Sequence, residues 1–449
     1  MAASPQRLKV AIVGGGIGGL TLALAIQHFC DMLRLEVHVY EAAARFSQIG
    51  AGINIWGRVH QIFAELGLEE EMTSLLRDGD STIFTCRRSD QPEGVTFSEV
   101  DIEDGKMLLL HRADVQDILL KHISSDIKFH FSHRLKGYSH VGCDAEQIEL
   151  SFRDGQTTRC DMLIAADGVR SAVRPLLLQQ LAETLGKPEL RTAFAPVFSG
   201  TKIYRGLVTS EKLAEVWPGH PALTMPFIYC GKNKHVVTYP ISRGEYVNVV
   251  AFYSDMSRED TAFEGSQIEQ ATTEEVLRTF QGWEPMVRAI LGCMHEPSHW
   301  AIITQKPLDT WAADGVFLLG DAAHAMTPHI GAGAGQAIED AYVLARIIAH
   351  AQRKDPLEVR SDDSAHLYNR LRPPIANYVQ ARARLQRQFY EFNGEDGDTG
   401  RSQTDSPAYA ETDRLLEIGR AIWDGFHWQR HTIVRETDEE VARALGDVC

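Results

Sequence analysis

LKVAIVGGGIGGLTLALAIQHF, residues 8–29, is the stretch on which the fold turns. Leu8–Val13 is a short, β-branched apolar run, suited to a strand buried on both faces. Gly14–Gly19 follows, and then an Ala/Leu-rich helical stretch from Leu20 to about Phe29. Leu35–Tyr40 (LEVHVY) reads as a second strand and delivers Glu41. Strand, glycine turn, helix, strand and acid in that order make a βαβ unit. Gly14, Gly16 and Gly19 stand in G-x-G-x-x-G register. The first permits the tight turn, the second lets backbone approach a pyrophosphate, and the third lets helix and strand pack closely. The helix N-terminus offers free N–H groups and a favourable dipole to that pyrophosphate. Glu41 is placed to accept hydrogen bonds from a ribose diol. A glycine turn that binds nothing is the plain alternative, and the ordered context weighs against it.

Further along the chain, Arg112 to about His122 reads as a helix, and Gln147–Phe152 and Met162–Ala166 read as strands. From about Lys202 to Tyr253 the pattern turns strand-rich and is broken by turn signals, which predicts a predominantly antiparallel sheet. Val316–Leu319 returns to a buried strand, and a long helix is expected from about Gly335 to Ala351. The nucleotide-binding lobe is therefore discontinuous, its last strand arriving after an inserted sheet. The tail from about Ser361 is helical and polar, and Asn393–Glu411 lacks apolar periodicity and reads as an exposed or disordered loop. The fold class is α/β with two lobes: a Rossmann-like domain, an inserted antiparallel-sheet domain and a helical C-terminal region. The expected boundaries are 1–178 and 285–370 for the nucleotide lobe, 179–284 for the sheet lobe and 371–449 for the helical region.

Composition bounds the function. With 449 residues, 44% hydrophobic and 24% charged, the chain has the make-up of an ordinary globular protein. A formal charge of -16 leaves no basic stripe for nucleic acid. The seven cysteines are scattered and never form C-x-x-C, so neither a disulfide framework nor a metal site is expected. A reducing compartment, the cytoplasm, fits best. The N-terminal apolar run is too short for a signal segment or a membrane span.

Two later motifs carry the chemistry. Asp167-Gly168-Val169-Arg170-Ser171, running on to Arg174, follows a strand and could serve simply as a turn and helix cap. GDAAHAMTPHIGAGAGQAIEDA, residues 320–341, is more informative. Asp321 can hydrogen-bond a ribityl hydroxyl. Pro328 and the Gly331–Gly335 run bring bare backbone against a flat ring. The helix that follows turns its positive end toward the side of a flavin where negative charge appears on reduction. A nicotinamide dehydrogenase has no use for this second segment, so the dinucleotide is read as FAD. His324 reads as a residue that fixes the GDAAH turn rather than as a base; His329 has similar standing, and His235 shares a strand with Tyr239.

In GGGIGG, DGVRS and GDAAHAMTPHIGAGAG the sequence resembles the class A flavoprotein monooxygenases, the 4-hydroxybenzoate and salicylate hydroxylase family, over nearly the whole chain. The last motif is close to the fungal salicylate-hydroxylase-like branch. The resemblance implies non-covalent FAD held by Glu41, Arg112, Asp167 and Asp321, with backbone contact around Gly52 and around Gly333–Ala334. It implies NADH or NADPH and O2 as co-substrates, with no separate nicotinamide domain, and hydroxylation of a phenolic acid by way of a flavin hydroperoxide. Where the attacked carbon bears a carboxylate, CO2 leaves. The branch also holds phenol dearomatases, in which an arginine and a tyrosine line the substrate cavity; they match Arg205 of IYRGL and Tyr239 of HVVTYPI. Arg205 could pair with a phenolate or carboxylate, and Tyr239 could donate to the phenolate or help form it. The bland alternatives are a surface ion pair for Arg205 and a packed strand residue for Tyr239. The rivals are a dearomatising hydroxylase, a flavin halogenase (disfavoured by the absence of W-x-W-x-I-P) and a non-catalytic FAD-binding protein. Ring substituents, nicotinamide preference and oligomeric state are left open.

Overall fold

The strand Leu8–Val13 lies inside a six-stranded sheet in the computed structural model, which describes residues 7–46, 52–76, 83–101, 107–142, 147–354, 362–393, 407–426, 437, 439–441 and 443. Met162–Ala165 pairs with it in parallel on one side and Leu35–Tyr40 on the other. Val316–Leu318 extends the sheet beyond Met162–Ala165, and Lys128–His130 extends it beyond Leu35–Tyr40. The central strands are buried on both faces, as their unbroken apolar runs require. Helix Ile17–Phe29 covers one strand pair, and helix Gly333–Lys354 packs along it. That second helix starts two residues earlier and ends three later than its periodicity suggested.

Gly14 sits at φ +110°, and a side chain there would drive into the carbonyl of Ala166. A side chain on Gly19 would strike the carbonyl of Gly14. The turn therefore brings strand, helix and the Asp167 segment into backbone contact.

The second lobe is an eight-stranded sheet. Its order is Ile268–Gln270, Ser298–Thr304, Val197–Thr209, Tyr246–Thr261, Lys234–Ile241, Phe227–Gly231, Phe84–Arg88 and Val95–Val100. Every pairing is antiparallel except that of Phe227–Gly231 with Phe84–Arg88. The sheet is wider than residues 179–284: it takes two strands from residues 84–100 and one from residues 298–304. Backbone pairing recruits these edges, because a lone strand leaves its N–H and C=O groups unpaired. One face buries Tyr204, Val236, Val249 and Ala251 against helices Thr273–Thr279 and Pro285–Gly292. The opposite face points at the nucleotide lobe.

Helices Asp362–Leu371, Pro373–Tyr390 and Pro407–Phe426 form the C-terminal region. The buried Arg387 ties the second of them to the sheet, donating to the Ser199 carbonyl at 2.6 Å and to Glu259 at 2.6 Å. Helix Pro407–Phe426 lies over strand Val95–Val100, with Gly419 against Ser98. Of the loop expected over Asn393–Glu411, residues 394–406 lie outside the described residues, and from Pro407 the chain is helical. Among the described residues no helix is long and apolar enough to cross a membrane.

Candidate active site

A cavity of about 530 Å3 lies between the two lobes, a size suited to an organic ligand. The sheet supplies its floor through alternate residues of neighbouring strands: Ile203 and Arg205, Val237 and Tyr239, Val250 and Phe252, Trp300 and Ile302. Period-two alternation places these side chains on one face. The nucleotide lobe supplies the other walls from Gly16–Gly19, Gly52–Asn54, Arg112, Leu319–Asp321 and the 326–334 segment.

Ten of the thirteen residues singled out in the sequence line this one cavity: Gly16, Gly19, Gly52, Arg112, Arg205, Tyr239, Asp321, Pro328, Gly333 and Ala334. Gly14, Glu41 and Asp167 stand behind the wall. Gly14 shapes the turn. Glu41 accepts the N–H of Gly15 at 2.9 Å and that of Ala43 at 2.8 Å, which fixes its carboxylate beside the glycine turn. Asp167 accepts the N–H of Ala172 at 2.7 Å, while its Oδ1 is buried without a partner.

These features fit a dinucleotide. Nothing lies within 4 Å of where a Gly16 side chain would be, so bare backbone opens onto the cavity. Asp321 faces the cavity space although protein surrounds it. Burial pushes its carboxyl up, against the opposing pull of His324 and Arg112. Arg112 opens helix Arg112–His122, and burial lowers its pKa while Asp321 raises it. Gly16, Arg112, Asp321, Gly333 and Ala334 share one wall and could hold FAD there, with Glu41 and Asp167 behind the glycine turn.

Beneath that wall runs a buried ionic network. Asp340 accepts the Gly320 N–H at 2.9 Å, meets His324 Nε2 at 2.6 Å and accepts Arg372 Nε at 2.7 Å. Glu339 pairs with Arg372 at 3.0 Å and Arg58 at 3.2 Å. His324 therefore braces the turn that presents Asp321. Arg174, from the end of the DGVRS segment, donates to the carbonyls of Ala193, Lys306, Ala322 and Ala323 at 2.7–3.1 Å. It holds the back of the same turn.

On the floor, the Arg205 guanidinium lies over the Trp300 ring at 5.6 Å, and among the described residues it has no acidic partner within 4 Å. Burial lowers its pKa; the Tyr239 phenol opposes this and Arg112 adds to it. The Tyr239 hydroxyl packs against Gly52, and burial pushes its pKa up, with Arg205 opposing. Arg205 is not in a surface ion pair among the described residues, while Tyr239 is a buried, packed strand residue that also borders the cavity.

Trp300, Phe252, Asn54 and Asn248 escaped the sequence reading. Asn248 Oδ1 accepts the Gly52 N–H at 3.0 Å and so joins the lobes. The available signal was alternation on Ser298–Thr304 and Tyr246–Thr261, which puts Trp300 and Phe252 on the face of Arg205.

The family model described as FAD binding domain matches residues 7–380. Among curated proteins, the chain is 35% identical over 404 residues to a salicylate hydroxylase of Pseudomonas putida, covering 87% of each. It is 34% identical over 415 residues to 6-methylsalicylate 1-monooxygenase atA of Aspergillus terreus, covering 88% of this chain and 86% of that one. Among solved structures, a salicylate hydroxylase substrate complex superposes with a TM-score of 0.76 at 27% identity, covering 99% of both chains.

Proposed function

The chain belongs to the FAD binding domain family and is an FAD-dependent aromatic hydroxylase of salicylate hydroxylase type; from that premise we propose that it hydroxylates a phenolic carboxylic acid at the carbon bearing the carboxylate. The observation that carries the reading is Arg205. It is a cation on an otherwise largely apolar floor, without an acidic partner among the described residues, beside the Tyr239 hydroxyl. A buried guanidinium of that kind is stabilised by an anionic ligand, and its planar fork suits a carboxylate or phenolate.

FAD, when bound, supplies the redox chemistry: it takes reducing equivalents from NADH or NADPH and activates O2. The chain's own residues do the rest. Arg205 holds the anion and sets which ring carbon faces the opposite wall. Trp300, Phe252 and Val250 clamp the ring and keep water off it. Tyr239 donates to the ring oxygen. One oxygen atom of O2 ends on the ring and the other leaves as water; the carboxylate leaves as CO2 and a catechol or hydroquinone forms.

Anaerobic flavin reduction by NADH and by NADPH, with and without phenolic acids, tests this reading. A phenolic acid should accelerate reduction, and product analysis should find CO2. If no aromatic accelerates reduction, the chain is not a substrate-gated hydroxylase. Acceleration followed by a dearomatised product with no CO2 would move the substrate to a substituted phenol held by the same two residues.

A further inference from the structure

The buried arginines of this chain are held in two ways, and Arg205 in neither. Arg58, Arg372 and Arg387 each meet a carboxylate, and Arg174 meets four carbonyl groups. Among the described residues the Arg205 guanidinium has no hydrogen-bond or ion-pair partner, and it lies over the Trp300 ring at 5.6 Å. The two residues stand on neighbouring antiparallel strands, where Arg205 pairs with Ser298 and Ile203 with Trp300. Trp300 Nε1 donates to Ser298 Oγ at 2.8 Å, and Ser298 Oγ donates to the Arg205 carbonyl at 3.3 Å. One hydroxyl thus ties the indole to the backbone of the residue that it supports. Ile203 and Ile268 stand opposite Trp300 on its two flanking strands.

The kind of support matters for an anion site. A carboxylate beside Arg205 would neutralise it and compete with any anion that enters the cavity. The negative face of an indole attracts a guanidinium and leaves its charge uncancelled. With one face covered, the edge that carries the N–H donors stays free to meet a carboxylate in its own plane. Arg112 lines the same cavity and acts on Arg205 as a like charge. Without its aromatic seat, the guanidinium would be repelled from the position it now holds.

We propose that Trp300 is a positioning and specificity-determining residue: its indole seats the Arg205 guanidinium without neutralising it, and so makes the cavity select an anionic ring over its uncharged counterpart. This rests on the phenolic-acid reading. Trp300 also walls the ring, but that contact is the same for a charged and an uncharged ligand of one shape. Its action through Arg205 is therefore isolated in the ratio of the two affinities.

The test titrates the FAD-loaded enzyme with salicylate and with salicylamide, in which an uncharged amide replaces the carboxylate. Binding is followed by the change in flavin absorbance, which also reports whether each variant retains FAD. Wild-type protein should bind salicylate at least about tenfold more tightly than salicylamide. Trp300→Leu, which keeps an apolar side chain without the ring, should shrink that preference by about three- to thirtyfold. Trp300→Phe keeps an aromatic face and should retain most of the preference. Trp300→Glu gives Arg205 the carboxylate it lacks, and should bring the preference to about one or below. In an Arg205→Ala background, Trp300→Leu should leave the ratio where Arg205→Ala alone puts it. A wild-type preference in Trp300→Leu, or equal losses in the Leu and Phe variants, would reduce Trp300 to a wall of the cavity, with the phenolic-acid reading intact. If wild-type protein does not prefer salicylate at all, that reading fails and the proposal falls with it.

Discussion

The backbone of Gly52 and the hydroxyl of Tyr239 pack so closely that no side chain fits between them. Gly52 belongs to the nucleotide lobe and Tyr239 to the floor of the cavity, so this contact sets the distance between the two walls. Asn248, directly across the strand pair from Tyr239, secures it by accepting the Gly52 N–H.

Gly52→Ala should therefore destabilise the protein by about 1–3 kcal/mol, the usual cost of overpacking. Thermal unfolding of Gly52→Ala, Tyr239→Ala and the double variant checks this. The double variant should lose less than the sum of the two single losses, because the added methyl then enters space the phenol has left. Strict additivity would mean the contact is not shared.

Gly14 and Gly16 should separate folding from binding. Gly14→Ala meets both a positive φ and the Ala166 carbonyl, and should give little folded protein. Gly16→Ala meets nothing, and its extended backbone accepts any residue. The apo fold should stay within about 0.5 kcal/mol of wild type. FAD affinity, followed by flavin fluorescence, should fall at least about tenfold, near 1.4 kcal/mol. Unchanged affinity would remove Gly16 from the cofactor wall.

Arg205→Ala should leave FAD bound and raise the concentration of phenolic acid needed to stimulate flavin reduction by about ten- to a hundred-fold, matching about 1.5–3 kcal/mol for a charge-assisted bond. Loss of flavin instead would place Arg205 with the cofactor rather than the substrate.

The network under Asp321 makes a pH prediction. Burial raises the Asp340 pKa, but His324 and Arg372 outweigh it and hold the carboxyl below its ordinary value. A depressed carboxyl stabilises the fold above its unfolded pKa, and that stability is lost as pH falls through the folded one. Wild-type stability should therefore drop below about pH 4, with a shallower drop in Asp340→Asn. Arg372→Met leaves Glu339 and Asp340 buried without their cation and should cost about 3–5 kcal/mol at neutral pH. A loss below about 1 kcal/mol would mean that the network is not structurally important.

What was legible in the sequence was local. The glycine turn, the Glu41 strand end, the Asp167 segment and the 320–341 run each carry their meaning within a few residues, since backbone geometry dictates residue type there. Helix Gly333–Lys354 and the central strands followed from periodicity.

What stayed hidden is non-local. Phe84–Arg88 and Val95–Val100 are short and only partly alternating; the first is placed by pairing with Phe227–Gly231, more than a hundred residues away, and the second joins the sheet only through the first. Glu339, Asp340, Arg372 and Arg387 look like surface residues by type, yet each is buried because its partner arrives from another helix or strand. Glu391 was read as part of a polar tail, and only the docking of helix Pro373–Tyr390 brings it to His235.

The polypeptide passes from one lobe to the other between residues 55 and 84, again between 100 and 108, between 193 and 197, and between 304 and 312. Four covalent crossings between described elements thus join the two halves, so the nucleotide wall and the cavity floor are each assembled from segments far apart in the chain.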